Sequence, residues 1–248
     1  MKQLDFSIID PHIHQWAPYH TPHSATLLVK TLGKYPLLMD KILRIVKPKA
    51  LLYTLGHTQH VLSSYLPIHY HQDLDEIQVK SVVHVEADWH HHKGFGVVEE
   101  TRWLSQLDFS KYDLKLAAIV ATADPSHRKF VDILKAHRDA SPLFRGIRKM
   151  SSWHEDDGIY RWSKTPHLYQ SKKFLKGFEQ LAKMNLSFDA WGYSTQLNEI
   201  TALAKQFPET RIVVDHLATP VGLFGAVGKK TGKTLRNVMQ YFSNCKTT

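Results

Sequence analysis

The chain has 248 residues, of which 43% are apolar and 22% charged, a composition typical of a globular protein with one α/β domain. We find neither a hydrophobic leader nor an apolar run of about 18 residues, so the sequence predicts no signal peptide and no membrane-spanning segment. A single cysteine, Cys245, excludes an internal disulfide framework and favours a reducing, cytoplasmic location.

The formal net charge of +9 is unevenly distributed. Residues 229–248 form an atypical basic tail with five lysines and arginines and no acidic residue, which leaves about +4 for the rest of the chain. We find no recognisable nucleic-acid motif, so nucleic acid is not expected as a partner, and neither is a membrane. A small anionic substrate accounts for the basic balance with fewer assumptions.

The first predicted strand leads from Ile8 and Ile9 into Asp10-Pro11-His12-Ile13-His14. Because residues i and i+2 of a strand lie on the same face, His12 and His14 are expected to project together from its carboxyl end. Two adjacent imidazoles can share a metal ion or polarise a substrate oxygen. The chain contains 17 histidines, so an ordinary pair of surface residues is the alternative.

The segment 17–75 is rich in His, Tyr, Pro and Leu and is too long for a plain connection, so it is expected to be an insertion or a lid. Its middle, Leu37–Val46, has the apolar spacing of a helix and is closed by Pro48. We expect its histidines to be solvated loop residues.

Strands and helices alternate from residue 79 onward. The predicted strands are Val79–Ala87, Leu116–Thr122, Phe144–Met150, Leu186–Trp191 and Arg211–His216, and the predicted helices are Val97–Leu107, Ser126–Arg138, Gln170–Met184 and Thr195–Gln206. With the opening strand there are six strands, and the alternation predicts parallel βαβ units within one domain spanning residues 1–248.

Polar residues recur near the carboxyl ends of these strands. In Val83-His84-Val85-Glu86-Ala87-Asp88 the polar side chains alternate with apolar ones, which favours a barrel interior over a doubly wound sheet. Asp189 and His216 also lie near strand ends. The repetition predicts the catalytic face of a TIM barrel.

Five stretches in order resemble the amidohydrolase-related family of TIM-barrel metal-dependent hydrolases, and within it the branch of pyrone-dicarboxylate and L-fuconolactone lactonases. The stretches are Asp10–Trp16, Val85–Ala87, Phe144–Arg148, Leu186–Asp189 and Val214–Pro220. The resemblance implies hydrolysis of a lactone or related cyclic ester of a carboxylated or sugar-derived small molecule.

The resemblance also assigns roles to individual residues. His12 and His14 match the H-x-H of the family's first strand, and His216 matches its sixth-strand histidine; all three are expected to be catalytic. It leaves open whether they hold one divalent metal ion, with zinc the first choice, or contact the scissile carbonyl without a metal.

Arg148 and Arg145 match positions that bind a substrate carboxylate, for which the guanidinium fork is well suited. The alternative for each arginine is a structural ion pair with Glu86 or Asp189. Glu86 and Asp189 are themselves also expected among the substrate-binding residues. Substrate binding is favoured for Arg148 and the structural pair for Arg145. Glu86 is either an acceptor that orients a site histidine or an ion-pair partner.

The sequence departs from the family pattern after Pro220. No counterpart of the eighth-strand aspartate, the expected general base, is found, and only six of the eight strands of a complete barrel are predicted. We therefore expect a TIM-barrel-like fold truncated after about six β/α units, with open edges that a homo-oligomer would cover. The alternatives are a metal-dependent decarboxylase of the same superfamily and a truncated, inactive chain.

Three further motifs are interpreted as having no function. The Gly-rich stretch Gly228–Thr234 lacks the glycine spacing of a P-loop. His90, His91 and His92 cannot all face one way on regular structure, so they are expected to be solvated. Cys245 has no evident partner, and a short helix is expected at Leu235–Phe242.

Overall fold

Six parallel strands form a single sheet that curls into part of a barrel, with helices packed along it. The computed structural model describes residues 6–22, 26–32, 35–49, 51–52 and 58–221. Each strand pairs with the next one in the chain, in the order expected of a (β/α) barrel. The predictions for residues 222–248, including the basic tail, the glycine stretch and the Leu235–Phe242 helix, lie outside the described residues.

The described elements follow the predicted alternation. The strands are β1 Ile8–Ile13, β2 Val79–Val85, β3 Lys115–Thr122, β4 Phe144–Met150, β5 Ser187–Trp191 and β6 Ile212–Val214. The helices are α1 Thr26–Leu32, α2 Pro36–Val46, α3 Gln59–Leu62, α4 Pro67–Asp73, α5 Val98–Leu104, α6 Phe130–Ala140, α7 Lys172–Lys183 and α8 Leu197–Gln206. No described helix is long and apolar enough to cross a membrane.

Several element boundaries differ from the sequence prediction, and two of the differences have a clear local description. Helix α6 begins at Phe130 rather than Ser126, because the Asp124 carboxylate accepts a hydrogen bond from the Ser126 amide and forms a turn there. Strand β6 ends at Val214, so His216 lies beyond it, in a short turn with a left-handed backbone (φ 50°). The strand prediction for residues 215–216 is therefore wrong.

The core lies between the strands and helices and is densest where α7 covers β5. Phe174 and Phe178 of α7 pack on Phe188 of β5, with ring centroids 4.9–5.9 Å apart, and all three are fully buried. Gly177 lets α7 approach the chain closely, since a Cβ there would collide with the Pro125 carbonyl. This packing fixes the position of β5 and of the residues that follow it.

His137 connects α6 to the neighbouring elements. Its ring is fully buried, with Nδ1 2.8 Å from the Thr101 hydroxyl and Nε2 3.1 Å from the Thr122 carbonyl oxygen. Burial lowers the pKa of His137 to about 4 from an ordinary 6.5, although the Thr122 hydrogen bond opposes the shift.

The depressed pKa of His137 predicts a loss of stability in mild acid. Between pH 6.5 and about 4 the unfolded chain binds this proton and the folded chain does not, so stability falls as pH falls. From pH 7 to pH 5, the free energy of unfolding of the wild type should fall by about 1.5–2 kcal/mol more than that of His137→Gln. Urea unfolding at both pH values measures this. His92→Gln, at an exposed histidine, should keep the wild-type slope, and an unchanged slope in His137→Gln would refute the assignment.

Candidate active site

The first-strand histidines lie side by side, as their spacing predicts. Their Nε2 atoms are 3.2 Å apart, and His14 Nδ1 is 2.8 Å from the Val85 carbonyl oxygen. Because a carbonyl oxygen only accepts, His14 Nδ1 carries the proton, and Nε2 of the neutral ring presents its lone pair to His12. Burial lowers the pKa of His14 to about 3, and the positive charge of Arg148 adds to the shift.

His12 is held from its backbone side by Asp10. One oxygen of Asp10 accepts from the His12 amide at 3.1 Å, and the other accepts from the Tyr70 hydroxyl at 2.8 Å. Tyr70 belongs to α4, so the segment before β2 helps to position the site. His12 Nδ1 lies 3.8 Å from Asp215 Oδ1.

His216 completes the histidine cluster from the other end of the sheet. Its ring centroid is 4.9 Å from that of His12 and 5.3 Å from that of Trp191. Desolvation lowers the pKa of both His12 and His216, and this effect outweighs the opposing charge of Asp215. The structure thus brings together the three histidines that the sequence predicts as catalytic.

Arg148 occupies the centre of a buried ion cluster. Its Nε donates to Glu86 Oε1 at 2.7 Å, its Nη2 to the Glu86 carbonyl at 2.6 Å, and its Nη1 to Asp215 Oδ2 at 3.5 Å. Burial by itself would raise the pKa of Glu86, but Arg148 and the Asp88 amide together lower it to about 2. Of the two roles left open for Glu86, the geometry shows the ion pair. Carboxylate binding by Arg148 stays a prediction.

Arg145 does not join this cluster. It lies near the start of β4, where its exposed guanidinium donates to the carbonyl oxygens of Pro142 and Phe144. Residues three apart in a strand point to opposite faces, so Arg145 and Arg148 cannot share one site. The expectation that Arg145 binds substrate is therefore corrected, and so is its pairing with Glu86 or Asp189.

Asp189 lies opposite Arg148 in the β4–β5 register and is 5% exposed. Burial and the nearby charge of Asp215 raise its pKa to about 7, although Arg148 opposes the shift. No described ion pair joins it to Arg148, and it does not line the cavity described below. Its role in substrate binding stays a prediction.

The polar residues at the end of β2 do not share one environment. His84 is fully buried, accepts from the Gln15 amide at 3.2 Å and lies 3.6 Å from Glu100 of α5. Glu86 pairs with Arg148, whereas Asp88 is exposed. The alternation expected from the sequence does not persist because β2 has an irregular register at Val82 and ends at Val85.

Asp215 is the residue that sequence reasoning missed. It is 2% exposed; Oδ2 faces Arg148, and Oδ1 lacks a hydrogen-bond partner among the described residues. Its position next to His216 at a strand end was a signal that could have found it. A buried carboxylate oxygen directed at a histidine cluster is suited to accept a proton or to bind a metal ion.

The donor atoms fit a divalent transition-metal ion. Two nitrogens bound to one tetrahedral zinc at about 2.0–2.1 Å lie roughly 3.3 Å apart, close to the 3.2 Å between His12 and His14 Nε2. His12, Asp215 and His216 also each offer one ligand atom, all within 4.8 Å of one another. His12 belongs to both sets, and the neutral imidazoles are in the protonation state that metal binding needs.

A cavity of about 450 Å³ opens beside the histidines. His14, His216, Glu86 and Arg148 lie on its inner wall, and residues from α2 to α3 lie on another. The remaining lining residues are Trp16, Leu43, Lys47, Leu51, Leu52, Thr58, Val61, Leu62, Ala87, Asp88, Met150, Tyr160, Trp162 and Trp191. The long segment 17–75 thus contributes residues to the cavity wall, and its assignment as an insertion or lid stays a prediction.

Comparison with known proteins found a matching protein family and related sequences. The amidohydrolase family model matches residues 9–240. An uncharacterised protein of Sinorhizobium fredii is 29% identical over 217 residues, which are 88% of this chain and 64% of that protein. An L-fucono-1,5-lactonase of Burkholderia ambifaria is 34% identical over 123 residues, which are 49% of this chain and 38% of the lactonase.

Solved structures share the fold at low identity. An amidohydrolase of Burkholderia multivorans crystallised with bound zinc has a TM-score of 0.56 at 19% identity, with 88% of this chain covering 60% of that one. An amidohydrolase 2 of Bifidobacterium longum subsp. infantis has a TM-score of 0.50 at 17% identity, with 86% of this chain covering 63% of that one. The chain therefore spans less than two thirds of the length of these relatives.

The ion cluster predicts a large stability effect at Arg148. Arg148→Met leaves Glu86 and Asp215 buried without their cation, so the free energy of unfolding should fall by about 3–5 kcal/mol. Lys183→Met, which breaks the exposed pair with Glu179, should cost less than about 1 kcal/mol. Urea unfolding of the two variants tests this, and similar small losses in both would contradict a structural role for Arg148.

Proposed function

Because the chain belongs to the amidohydrolase family, we propose that it is a hydrolase that opens a lactone or a related cyclic ester of a small molecule. The observation that carries the proposal is the convergence of His12, His14 and His216, all with lowered pKa values, where His14 and His216 line one cavity. The partial similarity to an L-fucono-1,5-lactonase supports a ring ester as the substrate class.

In the proposed reaction a water molecule attacks the lactone carbonyl carbon, and the ring C–O bond breaks. The negative charge that develops on the carbonyl oxygen is stabilised at the histidine cluster, where His14 and His216 face the cavity. The water proton passes to a base and the ring oxygen gains a proton, so the product is a hydroxy acid.

Asp215 is the carboxylate in the described residues that we assign as this base. Its Oδ1 has no hydrogen-bond partner among the described residues and lies 3.8 Å from His12 Nδ1, whereas the Glu86 carboxylate already accepts from Arg148. The two oxygens of Asp215 therefore have different roles in the proposal: Arg148 orients Oδ2, and Oδ1, near His12, accepts the proton.

A zinc ion is the cofactor that we propose for this site. His12 with His14, or His12 with Asp215 and His216, would hold it. When bound, it would polarise the carbonyl and lower the pKa of water. The zinc reported in the Burkholderia multivorans amidohydrolase supports the choice of metal for this fold. The metal-free alternative, with direct contact between histidines and carbonyl, is the other outcome of the test.

The remaining expectations about partners and location stay predictions: a small anionic substrate, the absence of nucleic-acid and membrane partners, a homo-oligomer that covers the sheet edges, and a cytoplasmic location. The pairing of Arg148 with Glu86 and Asp215 bears on the first of these. A substrate carboxylate that binds Arg148 has to compete with two carboxylates already in place.

Zinc binding should depend on His12. The substitution His12→Asn removes the imidazole that is common to both donor sets, so the zinc dissociation constant should rise at least about tenfold. Calorimetric titration of the metal-free protein with zinc measures this. His92→Asn, at an exposed histidine outside the cluster, should bind as the wild type does, and equal affinity in both variants would argue for the metal-free reaction.

Lactone hydrolysis should require His216 and Asp215. The purified chain, with and without added zinc, should release acid from at least one member of a lactone panel, followed in a pH-indicator assay. His216→Asn and Asp215→Asn should each lower kcat by about a hundredfold or more, because a proton-transfer or charge-stabilising group is lost. His92→Asn should be fully active.

The same assay separates the alternatives. If no lactone is opened, the proposed function fails. Carbon dioxide release from an aromatic or unsaturated acid would then favour the related decarboxylase, and the absence of both reactions would favour an inactive chain.

A further inference from the structure

The residues that line the cavity beside the histidines are mainly aromatic and aliphatic, and they indicate which substrate groups can bind there. It is continuous with the reacting groups, because His14 and His216 lie on its wall. Trp191 links the two regions: its ring lies 5.3 Å from the His216 ring, 5.1 Å from the Arg148 guanidinium carbon and 5.4 Å from the Trp162 ring. A substrate whose carbonyl meets the histidines therefore extends its remaining part along Trp191.

Two of the indole N–H groups on the aromatic part of the cavity wall are already used in hydrogen bonds within the protein. The Trp191 indole N–H is used by the Thr219 hydroxyl at 2.7 Å, and the Trp16 N–H by the Ser63 carbonyl at 2.6 Å. Tyr160 packs edge-to-face on Trp162, with ring centroids 4.9 Å apart.

The segment 17–75 contributes mainly aliphatic side chains to the cavity wall. Leu43 and Leu62 are each 7% exposed, and Leu51, Leu52 and Val61 lie beside them on the cavity. These side chains leave an apolar surface for a ligand group.

Polar groups that this segment contributes to the cavity are few. The hydroxyl of Thr58 donates its proton to Asp40 at 2.6 Å, and Thr58 is 1% exposed. Lys47 follows α2 and is exposed, so its ammonium group stays solvated; Asp88 lies after β2 and is also exposed. Hydroxyl groups of a substrate would lose water in this part of the cavity without gaining comparable partners, which costs free energy.

We propose that the ring substituent of the substrate is an alkyl or aryl group that packs against Trp162 and Trp191 and against the aliphatic side chains of α2 and α3 that line the cavity. This inference rests on the proposed lactone hydrolysis and narrows its substrate class: the preferred lactone carries an apolar substituent instead of several hydroxyl groups. A volume of about 450 Å³ is in the range of small-molecule sites and accommodates such a group beside the ring.

Three lactones of equal ring size test the substrate class: one with a pentyl substituent, one unsubstituted and one with several hydroxyl groups. The value of kcat/KM should be at least about tenfold higher for the pentyl ring than for the other two, because its methylenes leave water on binding. Equal values, or a preference for the hydroxylated ring, would overturn the inference and leave lactone hydrolysis itself intact.

A pair of matched variants locates the effect. Val61→Thr keeps the side-chain shape but places a hydroxyl on the cavity wall, so the pentyl-to-unsubstituted ratio of kcat/KM should fall by about three- to tenfold. Ile45→Thr makes the same kind of change at a residue that is 82% exposed and outside the cavity, and it should keep the wild-type ratio. An unchanged ratio in Val61→Thr would contradict this location.

Binding without turnover separates the two proposals. Lactams with and without the pentyl group resist hydrolysis, and their binding can be followed by the fluorescence of the cavity tryptophans. The pentyl lactam should bind at least about tenfold more tightly than its parent, with the gain reduced in Val61→Thr. That result in a protein that opens no lactone would support the apolar subsite and refute the hydrolysis. No gain from the pentyl group would refute the subsite.

Discussion

The ion cluster of Glu86, Arg148 and Asp215 is the constraint on which the arrangement of the site depends. Its members follow or belong to β2, β4 and β6, which are far apart in sequence, and all three side chains are at least 95% buried. Charges removed from water are tolerated only when their geometry satisfies them, so the three strand ends have little freedom to shift. Arg148 meets this requirement with three hydrogen bonds to Glu86 and Asp215. As a result, Asp215 presents its other oxygen to His12.

The charges of this cluster also shift the pKa values of the neighbouring histidines and of Asp189. Burial and the positive charge of Arg148 both disfavour protonation of His14, whose pKa falls to about 3, and they act in the same direction on His12 and His216. The histidines are therefore neutral near pH 7, each with one lone pair and one N–H. Asp189 shows the opposite effect, because burial and Asp215 raise its pKa to about 7. The barrel mouth combines neutral imidazoles with carboxylates of very different proton affinity.

Local patterns predicted what depends on local geometry. The two-residue spacing of His12 and His14 and the bounds of β4 follow from strand periodicity, and both agree with the structure. The roles of Arg145 and Arg148 could not be assigned from local patterns alone. Strand periodicity places the two arginines on opposite faces, but only the packed sheet shows that Arg148 contacts Glu86. Asp215 was missed because the sequence places it beside His216 without indicating which groups each of its oxygens contacts. Residues this distant in sequence are brought together by the order of the strands.

The segment 17–75 packs separately from the strand ends that carry the site. Met39, Leu43 and Leu62 form a small apolar cluster distinct from the main core, and the Asp40–Thr58 hydrogen bond ties α2 to the start of α3. An antiparallel bridge between Trp16 and Tyr65 joins this unit to the end of the histidine stretch. Because the segment 17–75 has its own packing, its side chains on the cavity can change without disturbing the Glu86–Arg148–Asp215 cluster. The strand ends thus position the charged and histidine side chains, and the segment 17–75 contributes a separately packed part of the cavity wall.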